Sequence, residues 1–78
     1  MIDFIICNSA TGEIEGNCPV CGIISVATQE DYDVYPVPPG HVKHELRGKD
    51  RIKVVEIDQA KKRYKHRLNL KTHRLIKR

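Results

Sequence analysis

Cys18-Pro19-Val20-Cys21-Gly22 is the place in this 78-residue chain where residue types and spacing prescribe a chemistry. Two cysteines two residues apart form a knuckle, with proline tightening the turn and glycine freeing the backbone after it. Its amides can point at both sulfurs, which is half of a tetrahedral zinc site. The completing ligands would be His41 and His44, giving Cys-x2-Cys-x19-His-x2-His. In a strand, residues three apart point to opposite faces, so His41 and His44 converge only if a turn or helix forms there. Cys7 with one of the two histidines is the other completion. The alternative to one structural zinc is no cofactor: thiols packed as small hydrophobes, a solvated His41 and a half-buried His44. A redox pair would want a helix start after Cys21 to lower a thiol pKa, and none is evident.

The second chemical feature is charge. Residues 61–78 hold nine of the fourteen Lys and Arg and no Asp or Glu, while all ten acids lie in residues 1–60. Lys61, Lys62, Arg63, Lys65, Arg67, Lys71, Arg74, Lys77 and Arg78 therefore form the expected surface for an acidic partner. That partner can be nucleic acid, an acidic protein, or the acidic front of a second copy of the chain. Tyr64 is the lone aromatic among them, too little for a stacking platform on single strands. His66 and His73, set among cations, are expected as neutral, exposed imidazoles.

Catalytic signatures are missing from the sequence. It has no glycine-rich phosphate loop and no nucleophile elbow, and Ser9 stands in a turn, where serine is ordinary. The acids Glu30, Asp31 and Asp33 around Tyr32 read as a solvated loop. A non-enzymatic protein without a small-molecule substrate is the expectation. The start of the chain does not read as a signal peptide, and no apolar run approaches the roughly 18 residues of a membrane span. Three cysteines argue against a self-contained disulfide framework. One Phe and no Trp leave the apolar mass to Ile, Val and Leu, and so short a chain has a thin core that a metal, a disulfide or a neighbouring subunit would support.

The elements that must position these residues are short. Turn signals at 8–12, 15–19, 36–40, 47–50, 58–62 and 71–73 predict one all-β domain over 1–78, a small antiparallel meander or partly open barrel of short hairpins. Val42, His44 and Leu46 alternate with His41, Lys43 and Glu45 as a strand. Arg51–Ile57 reads as the next strand, paired with it through a turn at Arg47–Asp50, although its apolar residues change phase at Val54-Val55. Asn8-Ser9-Ala10 and Asp58-Gln59-Ala60 each follow a strand end and can fold an Asx side chain onto the backbone; Asn69 begins a third such stretch. In the basic segment Tyr64, His66, Leu68 and Leu70 alternate with cations, which favours strand over a C-terminal helix begun at Asp58.

The order of these pieces resembles that of short phage-encoded virion proteins, of the kind associated with tails, necks and fibres. The resemblance rests on Ser9-Ala10-Thr11-Gly12-Glu13-Ile14 after the first strand, the Gly16-Asn17-Cys18-Pro19 step, the Pro38-Pro39-Gly40 turn, and Val55-Glu56-Ile57-Asp58-Gln59-Ala60-Lys61 late in the chain. It implies an all-β structural component, made in the host cytoplasm and carried in the virion, whose partners are other virion subunits or copies of itself. Cys21, Gly22 and the basic end depart from that pattern. They keep open a small zinc protein that binds nucleic acid through residues 61–78.

Overall fold

A computed structural model describes residues 1–15 and 18–78 of the chain. Gly16 and Asn17, within the Glu15–Pro19 turn and the Gly-x-Cys-Pro step, lie outside the described residues. The protein is all-β, built of antiparallel strands in short hairpins. The first sheet has the order β2-β1-β3, from β1 (Ile2–Asn8), β2 (Gly22–Val26) and β3 (His41–Glu45). A helix α1 (Gln29–Val34) links β2 to β3, and a helical turn α2 (Asp50–Lys53) leads away from the sheet. Two hairpins follow: β4 (Ile57–Asp58) with β5 (Arg63–Tyr64), and β6 (His66–Asn69) with β7 (Arg74–Lys77).

The central strand β1 is buried on both faces, with Phe4, Ile5, Ile6 and Cys7 wholly inaccessible. This is why it reads as a continuous apolar run instead of an alternation. On one face Phe4 meets Tyr32 of α1 and Tyr35, just beyond the helix, edge to face at ring separations of 4.9 and 5.0 Å. Thr28 caps α1 by accepting the Asp31 amide hydrogen at 3.1 Å, and Lys43 of β3 donates to the Tyr32 carbonyl at the helix end. On the other face Ile5 and Cys7 join Ile14, Leu46, Val54, Leu68 and Leu75 in the main core. That core lies between the sheet and the C-terminal hairpins.

Three four-residue turns share one anatomy. Asn8 Oδ1 accepts the amides of Ala10 and Thr11, Asp58 Oδ1 those of Ala60 and Lys61, and Asn69 Oδ1 those of Lys71 and Thr72. The fourth residue after each Asx, namely Gly12, Lys62 and His73, has positive φ and completes the reversal. Lys62 and His73 are exposed there, but Gly12 is buried, and a Cβ on it would overlap the Leu68 carbonyl. Gly12 also accepts the Leu68 amide hydrogen at 2.9 Å. On either side, the Thr11 carbonyl accepts from Arg67 at 3.4 Å and Glu13 pairs with Arg78. The first turn is thus clasped against β6 and the chain end.

The structure differs from the sequence expectation in two elements. Arg51–Ile57 is not a strand paired to β3: residues 50–53 form α2, with the Lys53 amide bonded to the Lys49 carbonyl and that of Val54 to Asp50. The apolar residues there change phase, so a strand would present two apolar faces where core lies on one side. A helical turn sends Val54 alone inward and leaves Ile52, Val55 and Ile57 exposed. Residues 30–33 lie in α1, not in a loop, because the Thr28 cap and the acids of the first turn suit a helix start. Residues 63–77, by contrast, are strands broken by the Asn69 turn, with His66 and Leu68 inward, as their alternation predicts.

Gly12→Ala should lower stability by roughly 2–5 kcal/mol through overlap and backbone strain together. Gly40→Ala, at the same φ of 75° but with open space around it, should cost only about 1–2 kcal/mol. Urea unfolding of the two variants measures the difference.

Candidate functional site

The cysteine knuckle is an excursion from the edge of the first sheet. Ile14 bridges Cys7, and Gly22 resumes pairing one residue earlier on β1, opposite Ile6. Cys18 and Cys21 lie on the segment between Glu15 and Gly22. The Cys21 amide closes the knuckle on the Cys18 carbonyl at 3.1 Å, and the Tyr35 hydroxyl donates to the Val20 carbonyl at 3.1 Å. The aromatic cluster around Phe4 therefore steadies the knuckle from below through Tyr35.

Both thiols are reduced and within hydrogen-bonding reach of each other. The Cys21 thiol, the Val20 amide and the His41 ring hold the Cys18 thiol below its usual range. Cys21 goes the opposite way, to about 11, pushed by desolvation and by its role as donor to a Cys18 thiolate. The pair loses its first proton at Cys18. Cys7 is separate: its side chain lies in the main core, and burial raises its thiol to about 11.

His41 stands beside this pair, and His44 does not. β3 pairs Asn8 with His41 and Ile5 with His44, so the two rings occupy opposite faces of the sheet. His41 Nε2 meets Glu15 Oε2 at 2.9 Å, and its Nδ1 meets the Pro39 carbonyl at 2.9 Å. Both partners are acceptors, so both ring nitrogens donate and the ring is an imidazolium. Its pKa is accordingly raised, first by the Glu15 hydrogen bond and then by Pro39. Glu15 is lowered in turn, first by Asn8 Nδ2 at 2.9 Å and then by His41. A relay from Asn8 through Glu15 to His41 thus ends beside the Cys18 thiol.

Cys18 and Cys21 are the residues here that could hold a metal, and His41 would join them only by giving up the proton it shares with Glu15. Among the described residues no three His, Cys, Asp or Glu side chains are grouped to bind a metal ion. His44 instead has Asp50, Glu45, Arg47 and His73 around it, and burial lowers its pKa. The Glu15–His41 partnership escaped sequence reasoning because its members are 26 positions apart, and only the neighbouring places of β1 and β3 bring them together.

The basic residues are carried by the two C-terminal hairpins. Lys61 and Lys62 lie on the Asp58 turn and Arg63 on β5; Lys65 follows at the junction with β6. Arg67 is on β6, Lys71 on the Asn69 turn, and Arg74 and Lys77 on β7, with Arg78 just beyond. Arg78 is the one that forms an ion pair among the described residues, with Glu13. A cavity of about 230 Å³ opens between the hairpins. His66, expected in solvent, is 5 % exposed because it lies on the inward side of β6 with Leu68, and its Nδ1 has no hydrogen-bond partner among the described residues.

No family model, no curated protein and no solved structure matches this chain. Among the described residues no helix is long and apolar enough to cross a membrane.

The Glu15–His41 pair makes stability depend on pH. The lowered Glu15 pKa contributes stability above the ordinary carboxylate value, and this is lost as pH falls through its folded value. The raised His41 pKa contributes below about 6.5, and this is lost as pH rises through its folded value. Between pH 6 and 9 the urea midpoint of the wild type should therefore fall relative to that of His41→Gln. Parallel midpoints would mean that the ring gains no proton affinity on folding.

Proposed function

We propose that this chain is a non-enzymatic structural component of a phage virion, a tail-, neck- or fibre-associated or decorating protein that acts through protein–protein contacts. The observation that supports this reading is the apolar surface of residues 52–57. Ile52, Val55 and Ile57 are 69 %, 56 % and 47 % exposed, although this is the most apolar stretch of the second half of the chain. Scattered single apolar residues on a surface are ordinary, but three β-branched side chains within six residues make a patch that a neighbouring subunit would cover. The edge strands add to this. Among the described residues β2 and β3 each pair only with β1, which leaves each an outer side for strand addition. The motif order shared with short virion proteins points the same way.

Ile52→Lys with Val55→Lys tests the contact without touching the core. Sedimentation velocity on the wild type should show association that rises with concentration, and the double variant should remain monomeric with an unchanged melting temperature. A wild type that stays monomeric throughout would remove the reading's main support.

A further inference from the structure

The cavity between the two C-terminal hairpins is lined by cations from two stretches of the chain, residues 61–65 and the end of β7. Lys61 comes from the Asp58 turn, Arg63 from β5, Lys65 from the junction with β6, and Lys77 from the end of β7. The floor beneath them is tied backbone. The Lys65 amide donates to the Glu56 carbonyl at 3.0 Å, and the Lys65 carbonyl accepts the Arg78 amide hydrogen at 3.0 Å. The hairpins are joined there, which brings Lys77 beside Lys61, Arg63 and Lys65 at the cavity.

The charge at this place is compensated only in part: Lys61, Arg63, Lys65, Lys77 and Arg78 outnumber the lining's side-chain carboxylate, Asp58, and Glu13 beside it. Arg78, also at the cavity, is held by Glu13. Lys61, Arg63, Lys65 and Lys77 have no ion-pair partner among the described residues. The one carboxylate in the lining, Asp58, uses Oδ1 to hold the amides of its own turn. Four like charges around one hollow repel one another, and an anion placed among them relieves that repulsion.

We propose that this cavity binds a phosphate group, presented by the backbone of duplex nucleic acid. Its volume, about 230 Å³, falls below the roughly 300 Å³ at which small-molecule pockets begin, so it suits one group of a larger molecule. Lys61, Arg63, Lys65 and Lys77 line it, and a phosphate offers them more oxygens than the two of a carboxylate. Tyr64, which also lines the cavity, packs against the core and supplies no free face for a base. Recognition is therefore of the backbone and carries no sequence preference. The site uses none of the apolar residues assigned to subunit contacts, so the two proposals stand or fall separately.

The test uses the full chain and two charge-matched variants. Lys65→Gln with Lys77→Gln alters the cavity, and Lys71→Gln with Arg74→Gln removes the same charge outside it. With one phosphate seated in the cavity, the site should contribute about −0.9 to the log–log salt slope of wild-type binding to a short DNA duplex. The cavity variant should lose about tenfold in affinity and about one unit of slope, and the outside variant less than about threefold. Inorganic phosphate should move the Lys65 and Arg78 amide resonances at an ionic strength where chloride does not. Equal losses for the two variants would overturn the site in favour of diffuse attraction. So would a synthetic peptide of residues 27–36, the acidic helix, moving those resonances while the duplex leaves them in place, since the ligand would then be a protein carboxylate.

Discussion

Everything beyond the first sheet is located by the close approach of Gly12 to Leu68. A strand backbone comes so near the first turn that no side chain fits between them, and the Leu68 amide donates across the gap. A hydrogen bond of this kind contributes only about 0.5–1.5 kcal/mol net, and a surface ion pair such as Glu13–Arg78 often less. The greater effect is steric: contact at this distance fixes the position of β6, and with it the hairpin that carries Leu75 into the core. The same turn begins at Asn8, whose side chain binds Glu15 and through it orients His41. One clasp therefore sets both the arrangement around the cysteines and the arrangement of the basic hairpins.

The distribution of charge follows from this architecture. Tyr32 of the acidic helix α1 and Tyr35 just beyond it pack over Phe4, and the cations ride on the β4–β5 and β6–β7 hairpins. Between them runs the crossover through α2, which has one residue to place inward, Val54. A chain so short cannot cover all its apolar side chains, and Ile52, Val55 and Ile57 of this crossover are among those left outside. Acidic front, apolar crossover and basic hairpins are three chemically different surfaces within one small protein.

Local chemistry was the legible part of the sequence. An Asx residue that caps its own turn does so wherever it stands, so the turns at Asn8 and Asp58 could be read directly and the one at Asn69 foreseen. The alternation of Tyr64, His66, Leu68 and Leu70 likewise marked strand, since cations occupied the intervening positions. Arg51–Ile57 misled because its β-branched residues favour strand in isolation, whereas the connection it must make rewards a helical turn. The burial of His66 follows from its place on β6, yet its cationic neighbours suggested solvent. Nothing local announces that Gly12 meets Leu68, and nothing distinguished His41 from His44 as the partner of Glu15. Contacts between distant segments are properties of the assembled sheet.

Native-state hydrogen exchange at the Leu68 amide tests the central claim most directly. If the clasp joins the sheet to the hairpins in one cooperative unit, the Leu68 amide should exchange only through global unfolding, with the same free energy and denaturant dependence as the core amides of β1. Exchange of Leu68 through a smaller opening, with β1 still protected, would contradict it and would mean that the C-terminal hairpins detach from a sheet that stands without them.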